Sequence, residues 1–339
     1  MVDWLLLVLP GVIWGASFLF IAEGLDAVSP NGVTFFRIVV GFATLSLVPA
    51  ARRPIAKSDR LGTALLGVLW FAFPLSMFPF AEQHVSSALT GMMNGALPLF
   101  AAAIASIVAR QLPSRATIAG LAVAFAGAIM IALPGSSSID GASGDAQQSL
   151  GIGLILMALV SYGFAINLAR PLQQRNGALP VVWRAQAVAL VLTAPLGVPA
   201  VANAHWSARP LASLIALGVG GTCLANVLAA TAAGRLGATR ASATAFLMPV
   251  VALILGVTLR HERVAALSIV GCAICLFGAW LIRQAGMATA GEAPLKRGPT
   301  GNAVADGAVA APRLDELQVV GADGLGRGVV RQAAEQELR

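Results

Sequence analysis

The chain of 339 residues is 58% hydrophobic and only 11% charged, and it carries a formal net charge of +7. A soluble domain contains roughly 25% charged residues, so the composition excludes a soluble globular protein and indicates an integral membrane protein. Because most basic residues lie in short connections between apolar runs, the positive charge is typical of membrane topology and does not indicate nucleic-acid binding.

Ten apolar runs, each long enough to cross a bilayer, follow one another along the chain. They cover residues 4–22, 32–50, 61–81, 86–109, 115–134, 150–169, 181–201, 210–232, 239–259 and 264–283. The sequence therefore predicts an all-α membrane protein of ten transmembrane helices. Prolines inside the third, fourth and ninth spans are expected to kink those helices, because proline removes a backbone hydrogen bond.

The second half of this pattern repeats the first. Residues 98–131 and 249–282 align without a gap at an offset of 151, with Gly127 opposite Gly278. Each predicted half contains five spans, an odd number, so the two halves enter the membrane from opposite sides. Inverted five-helix repeats of this kind build many transporters, with the substrate site at the seam between the halves.

The basic residues orient the spans. If both termini lie in the cytoplasm, basic residues are more numerous in the inner loops than in the outer loops, as the positive-inside rule requires. The inner loops hold Arg52, Arg53, Lys57, Arg60, Arg110, Arg115, Arg170, Arg175, Arg235 and Arg240, and the outer loops hold only Arg209, Arg260 and Arg263. We therefore expect a multi-pass protein of the cytoplasmic (inner) membrane of a bacterium. Its parts are a first repeat at residues 1–134, a periplasmic linker loop at 135–149, a second repeat at 150–284 and a disordered cytoplasmic tail at 285–339.

Charged residues near or inside the spans are rare. Arg37 and Arg184 lie in the second and seventh spans, where a cation either faces the interior and attracts a carboxylate substrate or snorkels to the headgroup layer. Glu23, Glu82 and the neighbouring His84 lie near outer span ends, where they carry coupling protons or are interfacial residues in water. No acidic residue occupies the middle of a span, which disfavours an antiporter whose buried carboxylate binds drug cations.

Neutral polar and aromatic side chains also lie well inside the spans. They are Trp14, Trp70, Asn94, Tyr162, Asn167, Trp183, Gln186 and Asn226, with Ser17 on the helix of Trp14. A few polar groups among apolar walls are typical of a small-molecule pocket. The alternative for each residue is a hydrogen bond between helices, because unsatisfied polar groups are costly in lipid.

The sequence shows no pattern typical of catalysis. Lys57-Ser58 lacks the preceding glycines of a phosphate-binding loop, and His261-Glu262 lacks a second His at metalloprotease spacing. The three cysteines lie in apolar runs and are interpreted as small core residues. We therefore predict no enzyme activity, no cofactor and no metal, and ATP-driven transport would need a separate subunit.

Several motifs resemble EamA-type ten-span permeases of the drug/metabolite transporter superfamily. Trp14-Gly-Ala-Ser-Phe18, Phe36-Arg37 and the run from Asn94 to Phe100 match in the first half, and Pro249 and Arg260-His-Glu262 match in the second. Two positions depart from the pattern. Gln111 stands where the first-half Glu is expected, and His261 stands where the Gly before Glu262 is expected.

The resemblance implies export or exchange of small metabolites, often amino acids, by alternating access. It also implies a central cavity between the first, third, fourth, sixth, eighth and ninth spans. The residues on those spans that we assign to substrate binding are Trp14, Ser17, Trp70, Asn94, Tyr162, Asn167 and Asn226. Arg37 and Arg184 belong to the peripheral second and seventh spans, which favours a position away from the substrate.

The expected cargo is a small zwitterionic or weakly polar metabolite, and the expected surroundings are membrane lipid. Three alternatives remain at this point. A multidrug exporter of lipophilic cations favours a buried acid in a span, and an enzyme acting on lipid headgroups favours acids or His at the inner interface, where the loops carry only Asp59. A non-transporting scaffold would use the tail to recruit a partner. The substrate, the direction of transport, the coupling ion (a proton among the candidates) and the oligomeric state stay open.

Overall fold

A computed structural model describes residues 2–133, 142–236 and 242–291, and every regular element in these ranges is a helix. The α-helices are α1 Val2–Leu25, α2 Pro30–Ser46, α3 Arg60–Leu66, α4 Phe73–Ala81, α5 Ser87–Asn94, α6 Leu97–Ala109, α7 Arg115–Ala132, α8 Ala142–Asn176, α9 Ala178–Ala202, α10 Ala208–Ala216, α11 Ala225–Leu236, α12 Leu247–Leu259 and α13 Ala266–Gly291. Two π-helical segments, Gly67–Ala72 and Leu217–Leu224, join α3 to α4 and α10 to α11. Three short 3-10 turns complete the set: Pro49–Arg52, Lys57–Asp59 and Ser242–Phe246.

The prediction of an all-α, multi-pass membrane protein is confirmed. Within the described ranges, eight helical segments are long and apolar enough to cross a membrane. The predicted ninth span corresponds to a shorter apolar helix, Ala243–Leu259. The predicted second span, 32–50, is the 17-residue helix α2, which ends at Ser46.

Two predicted boundaries differ from the observed helices. Helix α8 is 35 residues long and begins at Ala142, so residues 142–149 of the predicted linker are helical. Helix α13 continues to Gly291, beyond the predicted end of the second repeat at residue 284. The rest of the predicted tail, residues 292–339, and residues 135–141 of the linker lie outside the described residues, as does residue 134 of the first repeat.

Three predicted spans are interrupted where the cavity lies. Pro74 lies two residues after the first π segment. Proline has no N–H, so Pro74 cannot bond the carbonyl four residues earlier. The turn that precedes it is the wider π turn. The second π segment has no proline and is rich in glycine. The predicted fourth span breaks into α5 and α6 at Gly95 and Ala96, just before Pro98. Next to the prolines of the third and fourth predicted spans, the structure therefore has a change of helix type and a break in the helix.

Helix pairing defines the bundle. The most extensive contact joins α7 to α13, where Gly127 and Gly278 bring the two backbones together. Helix α2 packs on α9, α1 packs on α11 and α12, and α8 packs on α4 and α6. Two clusters of buried apolar side chains lie between these helices. Both clusters are bordered by Tyr162, which lies at their boundary beside the central cavity.

Candidate functional site: a central cavity

A cavity of about 130 Å³ lies inside the bundle. Its apolar wall consists of Phe18, Ile21, Phe71, Leu75, Phe78, Leu97, Ile166 and Met248. Its polar and amphipathic lining consists of Trp14, Ser17, Arg37, Trp70, Asn94, Tyr162, Gly221, Thr222 and Asn226. A cavity of apolar and aromatic side chains with a few polar groups has the composition that small-molecule sites usually have.

The structure brings together six of the seven side chains assigned to substrate binding from the sequence. Asn167 is the exception. Its Nδ2 donates to the carbonyl of Ala101 at 3.1 Å and to that of Gly163 at 2.8 Å, so it ties α8 to α6. For this residue the alternative interpretation, a hydrogen bond between helices, is the observed one.

The π segments supply part of the cavity wall. Trp70 and Phe71 come from the first segment, and Gly221 and Thr222 come from the second. The indole Nε1 of Trp14 donates to the carbonyl of Gly221 at 3.0 Å. A wide turn leaves backbone carbonyls available for such bonds, and π segments are frequent at functional sites.

The two intramembrane arginines have different surroundings. Arg37 is 4% exposed and lines the cavity, and its Nε donates to Thr222 Oγ1 at 3.3 Å. Arg184 is half-buried, donates to the Pro180 carbonyl and lies over the ring of Trp183. Of the two positions left open by the sequence, Arg37 has the one that faces the interior, because α2 packs directly against the second π segment.

Asn94 presents an unsatisfied oxygen. Its Nδ2 makes only a long contact of 3.8 Å to the sulfur of Met248. Its Oδ1 is buried and has no hydrogen-bond partner among the described residues. A buried acceptor without a partner costs free energy unless a bound molecule satisfies it.

Glu82 lies one residue beyond the apolar helix that ends at Ala81, and both of its carboxylate oxygens are buried without a hydrogen-bond partner in the described part of the chain. Burial raises the pKa of this carboxyl well above its usual range, and the nearby Glu262 carboxylate adds to the shift. Arg260 and Arg37 act in the opposite direction. His84 lies apart from the cavity, in a surface pocket with Gln148 and Arg263.

The sequence left open whether Glu23 is an interfacial residue in water, and the structure shows that it is buried. Its side chain is 5% exposed and accepts hydrogen bonds from Arg209 at 2.7 Å and from Arg260 at 3.1 Å. Arg260 also reaches Asp26 at 3.3 Å. Two of the three basic residues predicted in outer loops thus neutralise one buried acid at the end of α1.

A second buried acid, Asp59, lies at the opposite end of the bundle, because it follows the far end of α2. Arg175 donates to both of its oxygens, at 2.8 and 3.2 Å, and Asn176 donates at 2.6 Å. Sequence reasoning did not find this pair. Asp59 and Arg175 are 116 positions apart in the sequence. The one indication in the sequence was that Asp59 is the single acidic residue of the predicted inner loops.

Glu262, which the motif comparison singled out, caps helix α5. Its carboxylate accepts hydrogen bonds from the amides of Ser87 at 3.0 Å and Ala88 at 2.8 Å, and from the Ser87 hydroxyl at 2.8 Å. An anion at a helix N-terminus satisfies free amides and complements the helix dipole. Glu262 therefore fixes the helix that carries Asn94, and its role is one of position.

Within the described ranges no group of three His, Cys, Asp or Glu side chains could hold a metal ion. Cys272 and Cys275 are buried in the packed core of α13.

Comparison with known proteins identifies the family. The EamA-like transporter family matches residues 3–133 and 149–284. The chain belongs to this family. A probable terminal-alkyne amino-acid exporter of Streptantibioticus cattleyicolor is 28% identical over 283 residues, which are 82% of this chain and 92% of the exporter. The uncharacterized transporter YdfC of Bacillus subtilis is 26% identical over 78% of this EamA-like chain and 86% of its own.

Two more distant proteins extend the comparison. An uncharacterized transporter of Archaeoglobus fulgidus is 19% identical over 83% of this EamA-like chain and 99% of its own. A crystal structure of another protein covers 84% of this chain and 96% of its own, with a TM-score of 0.56 and 16% identity. At that identity the likeness shows a common fold alone.

Proposed function

We propose that this EamA-like protein is a secondary transporter of the bacterial cytoplasmic membrane that exports or exchanges small zwitterionic metabolites, amino acids among them. The observation that carries the proposal is the convergence of Trp14, Trp70, Asn94 and Tyr162 on one buried cavity. These residues come from four different spans, and a cavity built from many spans changes when the spans move. The amino-acid exporter among the relatives favours the same class of cargo.

The helix contacts support an arrangement of two inverted repeats, which we propose to be residues 1–134 and 150–284. The pairs α7–α13 and α2–α9 each join the same span of the two halves. The contacts of α1 with α11 and α12 have counterparts in the contacts of α8 with α4 and α6. A pseudo-two-fold axis that exchanges the halves would produce this pattern.

The two buried acids support alternating access. Glu23 lies near the end of the first span and Arg175 near the end of its counterpart, the helix α8, whereas Asp59 directly precedes α3 and Arg209 lies at the start of its counterpart, α10. The two ion pairs are thus related by the repeat with their charges exchanged, and they lie at opposite ends of the bundle. We call the first pair the outer latch and the second the inner latch. In this mechanism each latch closes one end of the pathway, and release of one at a time exposes the cavity to one side.

The charge of the cavity argues against lipophilic cations as cargo. Arg37 is the charged side chain among the residues that line the cavity. A cationic drug placed against a buried guanidinium would meet repulsion in a medium of low dielectric constant. A zwitterion or an anion avoids this cost.

Uptake into proteoliposomes of purified protein tests the function. Radiolabelled amino acids are screened with and without an imposed pH gradient. Saturable uptake of an amino acid supports the proposal, and acceleration by the gradient assigns proton coupling. Failure to take up any amino acid, in vesicles shown to be tight, contradicts it.

Matched tryptophan variants test the site. Trp14→Phe and Trp183→Phe each remove one indole hydrogen bond, to Gly221 and to Ser46 respectively, but only Trp14 lines the cavity. We expect Trp14→Phe, Asn94→Ala and Tyr162→Ala to reduce uptake, and Trp183→Phe to leave it near the wild-type rate. Unchanged uptake in all three cavity variants would mean that the substrate binds elsewhere.

A further inference from the structure

The cavity contains one buried cation that lacks a close anionic partner. Arg37 is 4% exposed, and the hydrogen bond from its Nε goes to a neutral hydroxyl, that of Thr222. Among the described residues no carboxylate lies within 4.0 Å of it, since the ion pairs at this distance involve other arginines. Its electrostatic partners are Tyr162, which is neutral when protonated, and Glu82.

Such a cation is costly unless something compensates it. Burying an unpaired charge is unfavourable, and charged residues inside a membrane bundle pair with another group or mark a substrate pathway. A guanidinium is always protonated and offers a planar fork of N–H donors that fits a carboxylate. The compensating group that this cavity lacks is therefore a carboxylate.

A second unsatisfied group lines the same cavity. Asn94 Oδ1 is a buried acceptor without a partner in the described part of the chain, and its residue is 5% exposed. An ammonium group donates three hydrogen bonds and accepts none, so it suits this oxygen. The rest of the cavity wall is largely apolar and aromatic, with Trp14, Trp70 and Tyr162 among its rings, and suits an apolar side chain.

We propose that Arg37 binds the carboxylate of the transported molecule and that Asn94 accepts a hydrogen bond from its ammonium group. The cargo is then an α-amino acid with an apolar or aromatic side chain. This inference rests on the proposed function and narrows it to one class of substrate with a defined orientation in the cavity. Arg184, the corresponding residue of the seventh span, has no part in binding, because it lies over Trp183 away from the cavity.

Competition in wild-type vesicles tests the inference without a mutation. Uptake of radiolabelled L-leucine or L-phenylalanine is measured against the unlabelled amino acid, its amide, which lacks the carboxylate, and the acid without the amino group (4-methylpentanoate or 3-phenylpropanoate). Truncating one partner of a buried charge pair lowers the binding affinity by a factor of about 30 or more. We expect the amide to compete at least about 30-fold more weakly than the amino acid, and the acid without the amino group about tenfold more weakly, as for one lost hydrogen bond.

Variants assign the effect to a residue. Arg37→Gln removes the charge and should lower uptake at least about 30-fold, whereas Arg37→Lys keeps a point charge and should retain intermediate uptake. Arg184→Gln is the matched control and should transport like the wild type. Asn94→Ala should weaken competition by the amino acid and leave that of the acid without the amino group unchanged.

The outcomes separate the two levels of the proposal. If no amino acid is taken up, the proposed function fails and this inference fails with it. If amino acids are taken up and leucinamide or phenylalaninamide competes as well as the parent amino acid, only the carboxylate role of Arg37 fails. Equal loss of uptake in Arg184→Gln and Arg37→Gln would also overturn the inference, since it would show a general need for charge rather than a binding role in the cavity.

Discussion

Arg110 and His261, 151 residues apart, both adopt a left-handed backbone, with φ of 51° and 54°. Each lies at the end of a helix, α6 in the first half and α12 in the second. The motif that this chain resembles has a glycine at the position of His261, and the observed φ explains why. Only glycine occupies this region without a steric cost from Cβ.

Replacing His261 or Arg110 with glycine should therefore stabilise the protein. Glycine removes the steric cost of the left-handed backbone, but it also increases the conformational entropy of the unfolded chain. The net increase in the free energy of unfolding is expected to be about 0.5–1 kcal/mol at each position. Thermal unfolding in detergent measures it. Gly177, with φ of 82°, is the reverse control, because Gly177→Ala should lower the midpoint. A lower midpoint for both glycine variants would show that the side chains of Arg110 and His261 contribute more than their backbone strain costs.

The contact of α7 with α13 requires a small residue at Gly127. A Cβ atom there would meet the backbone nitrogen of Cys275 and would lie 2.6 Å from the Gly271 carbonyl. Gly127→Ala must separate the two helices, and overpacking of this kind costs about 1–3 kcal/mol. Gly153→Ala is the matched control, since a Cβ at Gly153 meets nothing within 4 Å and alanine favours the helix. We expect the unfolding midpoint to fall for Gly127→Ala only.

Glu82 should make stability depend on pH. Because burial raises its pKa in the folded state, the folded protein holds this proton more tightly than the unfolded chain does. The stabilisation is complete below the ordinary pKa of Glu and is lost as the pH rises through the raised pKa. Glu82→Gln cannot titrate, so the unfolding midpoint of the wild type relative to this variant should fall as the pH rises above the ordinary pKa of Glu.

The neighbouring histidine provides the control for this experiment. His84→Gln should keep the wild-type pH dependence of the unfolding midpoint. Loss of that dependence in His84→Gln and its persistence in Glu82→Gln would assign the effect to the histidine.

The two latches should have opposite effects on access to the cavity. Glu23→Gln weakens the outer latch and Asp59→Asn weakens the inner latch, and each should favour the state open at its own end. A cysteine introduced at Ser17, which lines the cavity, reports access to a membrane-impermeant maleimide. A shift of about 1 kcal/mol in the free-energy difference between the two open states would raise labelling from the side of the altered latch roughly fivefold.

An exposed ion pair controls for the loss of charge. Asp3 and Arg235 are both more than half exposed and lie 3.3 Å apart, and such pairs contribute little. Asp3→Asn should leave labelling unchanged from either side. The native cysteines are replaced with alanine in every protein compared. Equal labelling from both sides in Glu23→Gln and Asp59→Asn would contradict the assignment of the latches.

The fold was largely predictable because lipid imposes one requirement, that backbone groups bond within a helix. Long apolar runs therefore identified the helices, although not their ends. Helix α8 extends beyond its apolar run to Asn176, where Arg175 and Asn176 bind Asp59. Polar residues can continue a helix when they form hydrogen bonds or ion pairs of this kind. A hydropathy profile does not show such partners, so it places the end of the helix too early.

The cavity residues were partly predictable for a similar reason. A polar or aromatic side chain deep in a span needs a partner, and Trp14 and Asn94 were recognised by their depth alone. Depth does not reveal the face of the helix, which is why Asn167 was assigned to the cavity and Arg37 was not. The pairing of Glu23 with Arg209 joins residues 186 positions apart, and no local pattern indicates it.

The two π segments have a consequence for the history of the chain. At the offset of 151, Gly67 corresponds to Gly218, so the wide turns occupy corresponding positions of the two halves. A π turn holds one residue more than an α turn and rotates the following side chains by about 100° around the helix axis. One inserted codon, present before the ancestral gene was duplicated, is sufficient to account for both turns. Deleting one residue from either segment would restore an ordinary helix and leave the downstream side chains facing their present neighbours, because the deletion removes the residue that the wide turn absorbs.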